Sequence, residues 1–299
     1  MVSVTERILQ LKKEKNAVIL AHNYTSSEVQ DLADFVGDSL GLSVIAANTE
    51  ADVIVFCGVS FMGETAKILS PNKIVLLPEP EAHCAMASMC SAEQIRAAKI
   101  ANPGYAVVGY VNSTAEAKTE MDVCCTSSNA ENVVNSLHGK KVLFVPDKNL
   151  GAYVASRSDK DIKLWDGFCP VHQCITVKQV QDLKAKHPGA IVMAHPECRM
   201  DVLNISDHIG STEKILKLAK QLNADEFIIL TEVGMKYRLE KECPGKKFYF
   251  PLQAVCMTMK MIEPESILHT LETGEGEIIL DEDIINKAYK PVKRMTDLV

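Results

Sequence analysis

The sequence predicts an α/β fold of three tandem units, each a three-layer α/β/α arrangement, related by pseudo-threefold symmetry around a central cavity. Three observations support this prediction. Buried strand patterns alternate with helical patterns, a polar segment follows each first strand, and each unit reaches a cysteine after its third strand. Those cysteines, Cys84, Cys169 and Cys256, are 85 and 87 residues apart. A repeat of this kind is a stronger guide to organisation than chain length.

Each unit opens with an apolar run that ends in polar residues, at residues 17–23, 106–112 and 190–196. Short apolar runs of this kind are typical of strands buried on both faces of a parallel sheet. Parallel strands need crossover connections, and helical patterns follow each run. We therefore expect the polar residues that follow these strands to meet at one edge of the sheets.

A polar segment follows each first strand, at residues 34–39, 122–128 and 207–212. A helical stretch comes next in each unit, and residues 128–131 have the spacing of a capping box. Hydroxyls and free backbone N–H groups at helix starts bind carboxylate or phosphate. Ordinary N-capping is the alternative. The candidate anion-binding residues are Ser39, Ser127, Ser128, Ser211 and Thr212.

A second strand follows in each unit, and a third strand then runs into the cysteine. The second strands are predicted at residues 53–56, 142–145 and 227–230. The landmarks together place the three units at residues 1–90, 91–177 and 178–262. The tail, residues 263–299, is expected to pack across the outside of the units.

The composition is typical of a globular protein. We expect the protein to be cytoplasmic because its sequence shows neither a membrane helix nor the pattern of a signal peptide. Apolar residues make up 47% and charged residues 24%, which excludes the disordered and fibrous classes. A net charge of -7 argues against nucleic acid or an anionic membrane as the main partner. No apolar stretch reaches the ~18 residues of a membrane helix, and the charged N-terminal segment lacks the pattern of a signal peptide. The ten cysteines are therefore not expected to form a disulfide framework.

One cysteine per unit, at an equivalent position, predicts a shared thiol site near the symmetry axis. Three thiolates facing one point favour zinc or an iron–sulfur cluster. The alternative is that the repeat keeps a small buried residue at this position. The other seven cysteines are interpreted as buried apolar residues; they are Cys57, Cys90, Cys124, Cys125, Cys174, Cys198 and Cys243.

Polar residues at the ends of the first strands form a second candidate set. Two histidines at equivalent positions beside a tyrosine and a glutamate favour acid–base chemistry. The set comprises His22, Asn23, Tyr24, Tyr110, Asn112, His195 and Glu197, with His172 in the same neighbourhood. Neither the glycine-rich dinucleotide fingerprint nor the P-loop motif occurs, which argues against nicotinamide and P-loop nucleotide chemistry.

Ordered sequence blocks through essentially the whole chain resemble those of the quinolinate synthase family. They are AHNY (21–24), DFVGDS (34–39), YVNS (110–113), CTSSNA (125–130), PDKNLG (146–151), CPVH (169–172), AHPEC (194–198), GST (210–212) and TEVGM (231–235). The resemblance implies a three-domain fold, which agrees with the repeat. It also implies condensation of iminoaspartate (iminosuccinate) with dihydroxyacetone phosphate to quinolinate, phosphate and water, in de novo NAD biosynthesis. A functional link to an enzyme that produces iminoaspartate follows from that reaction.

The resemblance further implies a [4Fe-4S] cluster, acting as a Lewis acid, held by Cys84, Cys169 and Cys256. Some family members have a CxxCxxC run at the last cysteine; here Met257, Thr258 and Met259 follow it, so that run is absent. The implied substrate-binding residues are His22, Ser39, Tyr110, Val111, Asn112, Ser127, His195, Pro196, Glu197, Ser211 and Thr212. The implied catalytic residues are Tyr24, Glu197, His172 and His195.

Two other functions remain open at this point. One is a different [4Fe-4S] hydro-lyase acting on another dicarboxylate, which a test with dihydroxyacetone phosphate as co-substrate would distinguish. The other is a non-enzymatic iron–sulfur redox sensor. A sensor would not need polar residues from all three units, and one that binds DNA would be expected to have a basic face.

Overall fold

Three parallel sheets of four strands each organise residues 3–298, the part of the chain that the computed structural model describes. The strands are β1 (Ala17–His22), β2 (Phe35–Gly37), β3 (Val53–Cys57), β4 (Ile74–Leu76), β5 (Ala106–Tyr110), β6 (Val123–Cys125), β7 (Lys141–Val145), β8 (Asp161–Leu164), β9 (Ile191–Ala194), β10 (His208–Ile209), β11 (Glu226–Leu230) and β12 (Lys247–Tyr249).

Helices alternate with the strands, and two short 3₁₀ turns lie at Ala87–Met89 and Met259–Met261. The helices are α1 (Val4–Glu14), α2 (Ser27–Leu32), α3 (Ser39–Asn48), α4 (Ser60–Leu69), α5 (Ala92–Ala101), α6 (Ala115–Lys118), α7 (Ala130–Ser136), α8 (Lys148–Ala155), α9 (Pro170–Gln173), α10 (Val177–Lys186), α11 (Met200–Leu203), α12 (Thr212–Gln221), α13 (Met235–Glu242), α14 (Pro264–Thr273) and α15 (Glu282–Asp297). Among the described helices, none combines the length and the apolar character needed to cross a membrane.

The three sheets have the same strand order, which confirms the predicted α/β class and the repeat. The orders are β2-β1-β3-β4, β6-β5-β7-β8 and β10-β9-β11-β12. The first strand of each unit pairs in parallel with its neighbours on both sides. These central strands are almost entirely buried because helices cover both faces of the sheet.

Each unit contains one more strand than the sequence predicts. The additional strands, β2, β6 and β10, have two or three residues and lie inside the polar segments at residues 34–39, 122–128 and 207–212. An equivalent aspartate positions each of them. Asp34, Asp122 and Asp207 accept hydrogen bonds from the backbone N–H groups of Ile19, Val107 and Val192, at 2.9, 2.7 and 2.8 Å. The short edge strand is thereby held against the central strand.

The last strand of each unit ends well before its cysteine, and a loop carries the thiol. One backbone hydrogen bond per unit fixes that loop two residues ahead of the cysteine. The N–H groups of Ser60, Lys148 and Val233 donate to the carbonyls of Ala82, Gly167 and Ala254, each at 2.8 Å. The three cysteine loops are therefore attached in the same way to the carboxyl end of β3, β7 or β11.

The packing is less symmetric than the topology. One continuous apolar core joins the sheets of the first and second units and includes Ala288, Val292 and Met295 of α15. Helix α15 packs against α3, α4, α6 and β6, while α14 packs against α1 and α2. The sheet of the third unit has its own two apolar clusters.

Candidate active site

A cavity of about 290 Å³ lies where the carboxyl ends of the three sheets meet. Residues from all three units line it, including Cys84, Cys169 and Cys256. The other predicted site residues that line the cavity are His22, Tyr24, Ser39, Tyr110, Asn112, Ser127, His172, His195, Glu197 and Thr212. The repeat therefore brings most of the predicted set together, as the arrangement of parallel strand ends requires.

Three of the predicted substrate-binding residues lie outside the lining of this cavity. Val111 is buried in the core shared by the first two units. Pro196 and Ser211 line a smaller neighbouring cavity of about 90 Å³, which shares Ser127 with the main one. Ser211 caps α12 by accepting a hydrogen bond from the N–H of Lys214, so its hydroxyl has the capping role that the sequence left as the alternative.

The remaining seven cysteines do not line the cavity. Six of them are buried, as predicted, but Cys174 is exposed. The interpretation of Cys174 as a buried apolar residue was therefore wrong. It is the C-cap residue of the short helix α9.

The thiols that line the cavity lie in a setting suited to a positive metal group. Burial raises the pKa of Cys84 to about 12, although the backbone N–H groups of Ala87 and Met86 act in the opposite direction. Burial and the Glu197 carboxylate raise the pKa of Cys169, while the backbone N–H of His172 lowers it. A bound metal cation reverses such shifts because a coordinating thiol is deprotonated. The backbone N–H groups that lower the pKa of Cys84 and Cys169 act in the same direction as such a cation.

Two buried carboxylates hold the backbone of two of these cysteines. Asp147 accepts a hydrogen bond from the N–H of Cys169 at 3.2 Å, and Glu232 accepts one from the N–H of Cys256 at 3.0 Å. Burial raises the pKa of both acids. In the first unit, the position equivalent to Asp147 and Glu232 is occupied by Val59, which has no carboxylate. Neither acid is among the residues predicted for the site.

Glu197 is the electrostatic centre of the cavity. One oxygen, Oε2, lies 3.1 Å from Nδ1 of His172 and 3.1 Å from Nδ1 of His195. Burial raises the pKa of Glu197, but the two histidines outweigh it and lower the pKa overall. The other oxygen, Oε1, is buried and has no hydrogen-bond partner among the described residues. An ionised carboxylate with one free oxygen can accept a proton from a ligand.

A chain of polar contacts connects Glu197 to Tyr24 through Thr231, which is absent from the predicted site. Nδ1 of His172 lies 3.1 Å from the Glu197 carboxylate and 3.2 Å from the sulfur of Cys169, and Nε2 of the same ring is hydrogen-bonded to the Thr231 hydroxyl at 2.9 Å. The Thr231 hydroxyl is also hydrogen-bonded to the Tyr24 phenol, at 2.7 Å. Thr231 directly follows β11 at a strand end, and that position was the signal that could have identified it.

Burial sets the protonation of the remaining acid–base candidates. It lowers the pKa of His22 and of His172 to about 3, so both rings are neutral near pH 7. The neutral form of His22 agrees with its geometry, since Nδ1 accepts the backbone N–H of Tyr24 at 3.2 Å. Burial also raises the pKa of Tyr24 and Tyr110 well above the usual value, and the Glu197 charge adds to both shifts. The two phenols are thus proton donors.

Hydroxyl and amide groups complete the lining. The Ser127 hydroxyl is hydrogen-bonded to Nε2 of His195 at 3.1 Å. The side-chain oxygen of Asn112 is buried without a hydrogen-bond partner in the described part of the chain. Ser39 and Thr212 are the first residues of α3 and α12. These groups offer donors and acceptors for a small polar ligand.

Comparison with known proteins identifies the family. The model of the family described as Quinolinate synthetase A protein matches residues 6–297. The chain belongs to the quinolinate synthase family. A protein named Quinolinate synthase from Methanoregula boonei is 50% identical over 98% of this chain and 97% of its own length.

Two further relatives carry the same name. The protein from Aquifex aeolicus is 46% identical over 98% of this chain and 93% of its own, and that from Clostridium perfringens is 46% identical over 99% of both. The family is one of enzymes, so the cavity is best understood as an active site. Ligand atoms of Cys169, His172 and Glu197 lie within 4.8 Å of one another, a spacing that could hold a metal ion. This group contains one of the three predicted cysteine ligands.

Proposed function

We propose that this enzyme condenses iminoaspartate with dihydroxyacetone phosphate to give quinolinate, phosphate and water. The observation that supports the proposal most strongly is the meeting of three equivalent cysteines and one acid–base cluster in a single cavity. Membership of the quinolinate synthase family supplies the reaction class. An enzyme that produces iminoaspartate is the functional partner that this reaction requires.

A [4Fe-4S] cluster held by Cys84, Cys169 and Cys256 is part of the proposal. The residues fit this group because three thiols share one cavity and backbone N–H groups near Cys84 and Cys169 lower the pKa of those two thiols against the effect of burial. When bound through three thiolates, such a cluster leaves one iron without a protein thiolate and supplies Lewis acidity for the loss of a hydroxyl. The CxxCxxC run is absent here, and no redox switch is proposed at Cys256.

The chain's own residues provide proton transfer. The free Oε1 of Glu197 takes a proton from a carbon next to the imine, a role that requires the ionised carboxylate which the lowered pKa provides. Tyr24, whose phenol stays protonated, gives a proton to a leaving oxygen. Thr231 and His172 connect the two groups. With the proton of His172 on Nε2, Glu197 passes its gained proton to Nδ1 of that ring, Nε2 passes its proton to Thr231, and Thr231 passes its hydroxyl proton to Tyr24.

The serine and threonine hydroxyls in the cavity bind the anionic groups of the substrates. Ser39 and Thr212 open α3 and α12, where free backbone N–H groups add to the hydroxyls. Ser127 and Asn112 lie on the second unit and face the same space. Carboxylates and a phosphate can therefore be held from all three units around the reacting atoms.

The test is anaerobic purification with iron and sulfide analysis, followed by an assay for quinolinate. We expect about four irons per chain and product only when both iminoaspartate and dihydroxyacetone phosphate are present. Turnover of a dicarboxylate without the triose phosphate would instead indicate another hydro-lyase. In Glu197→Gln and Tyr24→Phe, kcat should fall by about 10²–10⁴ with the iron content unchanged. Near-parental kcat in both would contradict the proposed roles.

A further inference from the structure

Asn23 lies between the two cavity-lining residues His22 and Tyr24, but its side chain points away from the cavity toward the third unit. It has no exposed surface. Its Nδ2 donates to the hydroxyl of Thr212 at 2.8 Å, and its Oδ1 accepts from a guanidinium nitrogen of Arg238 at 2.8 Å. The amide therefore joins the first unit to a residue that lines the cavity.

Arg238 determines which way this amide faces. A guanidinium has only donors, so the amide atom beside Arg238 must be the oxygen, and the nitrogen must face Thr212. The guanidinium is itself held in place. It pairs with Glu213 through NH1 and with Glu242 through Nε, the latter at 2.7 Å. Rotation of the Asn23 amide would place two donors against each other at Arg238, which disfavours the opposite orientation.

The orientation of the amide determines what the Thr212 hydroxyl can do. A hydroxyl has one hydrogen to donate, and here its oxygen already accepts from Asn23. Among the described residues no acceptor takes the hydrogen of Thr212, and the side chain lines the cavity. The hydrogen is thus available to a ligand.

We propose that Asn23 and Arg238 are positioning residues that make the Thr212 hydroxyl a hydrogen-bond donor to an anionic ligand oxygen. The oxygen belongs to a carboxylate or a phosphate, the two anionic groups of the proposed substrates. The inference rests on the proposed function for the identity of these ligands. Neither Asn23 nor Arg238 lines the cavity. Arg238 acts through Asn23, and Asn23 acts through the Thr212 hydroxyl.

The decisive variant is Asn23→Asp, which keeps the size of the side chain and its contact with Arg238. The aspartate oxygen that replaces Nδ2 accepts the Thr212 hydrogen and withdraws it from the cavity. We expect the dissociation constant of the affected ligand to rise about tenfold or more, because a hydrogen bond to a charged group is lost. The value of kcat should change less than KM.

Binding is measured by calorimetry on the anaerobically prepared enzyme, with quinolinate and inorganic phosphate as separate probes. Weakened binding of quinolinate assigns the donor to a carboxylate, and weakened binding of phosphate assigns it to the phosphate group. Parental affinity for both probes overturns the proposal. Failure of the parent enzyme to form or bind quinolinate would instead contradict the proposed function, and the phosphate titration would still report on Asn23.

A double-mutant cycle separates hydroxyl orientation from simple charge repulsion. In a Thr212→Val background, Asn23→Asp should weaken binding by less than about twofold, since no hydroxyl remains to be turned. An equal loss in both backgrounds would overturn the proposal.

Arg238 supplies a second test in case the aspartate variant folds poorly. Arg238→Met should weaken binding, and Arg238→Lys, which still donates to Asn23, should restore most of it; equal affinity in the two variants would overturn the role of Arg238.

Discussion

The carboxylate of Glu232 accepts a hydrogen bond from the backbone N–H of Cys256 at 3.0 Å. Glu232 is fully buried and pairs with Lys260 at 3.1 Å, and Lys260 donates to the backbone carbonyl of Tyr24 at 2.6 Å. One buried acid thus connects the loop of the third cysteine to Tyr24 of the first unit, the proposed proton donor. Asp147 holds the N–H of Cys169 in the same manner.

Replacement of Glu232 by alanine should loosen the Cys256 loop and leave Lys260 without its buried partner. An unsatisfied buried group costs about 1–3 kcal/mol, so we expect a loss of stability of that size and a lower iron content after anaerobic purification. Urea unfolding and iron analysis measure the two effects. Glu226→Ala, which removes a half-exposed acid paired with Lys247 on the same sheet, is the matched control and should change little. Parental iron content in Glu232→Ala would contradict the positioning role.

Serine replacements at the three cavity cysteines should each abolish most of the visible absorption of an iron–sulfur cluster, because each removes one of three thiolate ligands. Cys174→Ser and Cys90→Ser should leave that absorption unchanged, since neither residue lines the cavity. These two controls differ in burial: Cys174 is exposed and Cys90 is buried. A spectrum that survives Cys84→Ser, Cys169→Ser or Cys256→Ser would remove that residue from the ligand set.

The Thr231 hydroxyl can be removed without a change of shape by Thr231→Val. This substitution interrupts the path from Tyr24 to His172, and we expect kcat to fall about tenfold or more while KM is nearly unchanged. Thr231→Ser keeps the hydroxyl and should recover most of the activity. Steady-state assays of both variants, with iron content as the measure of an intact site, decide the matter. Equal rates in the valine and serine variants would show that the hydroxyl carries no part of proton transfer.

Acid should destabilise the fold in part through His22. Burial lowers its pKa from 6.5 to about 3, so between these values the unfolded chain binds a proton that the folded chain does not. Stability therefore falls as the pH drops below 6.5 and is retained above it. Between about pH 7.5 and about pH 5.5 this group contributes a loss of about 1.4 kcal/mol.

Urea unfolding of the parent and of His22→Gln at these two pH values measures that contribution. The variant should lose about 1.4 kcal/mol less than the parent over the interval. His269→Gln replaces an exposed histidine and should follow the parent. Identical pH dependence in the parent and His22→Gln would show that His22 is not neutral in the folded chain.

The repeat made the sheets and the convergence of the three cysteines predictable, because long apolar strands and equivalent cysteines leave a clear pattern in sequence. Strands of two or three residues, such as β10, leave no such pattern. The side chains of adjacent residues at a strand end or a helix cap also point in different directions. Val111 follows Tyr110 but packs into the core, and Ser211 is used as a cap while Thr212 lines the cavity.

Partners that come from distant parts of the chain were the least predictable part of the site. Thr231 and Glu232 follow β11 and act on residues of other loops, so their roles depend on tertiary contacts that no local spacing encodes. Asn23 was identified as a site residue, yet its side chain binds Thr212 and not a position in the cavity. Residue type and position at a strand end predicted which region of the fold these residues occupy. Their hydrogen-bond partners could be identified only from the folded structure.

The shared apolar core of the first two units has a consequence for how the cavity can open. Between the first and third units, polar contacts cross the boundary: Asp31 with Tyr237 and Lys241, and Gln30 with the carbonyl of Gly234. Two apolar side chains of the third unit, Met259 and Ile262, are also buried in clusters formed with residues of the first two units. Separation along this seam would therefore break polar contacts and expose apolar side chains, and the exposure gives it a positive heat-capacity change. Added salt would ease only the electrostatic part, by screening the exposed Asp31–Lys241 pair. Opening along this seam would therefore respond to temperature as well as to ionic strength.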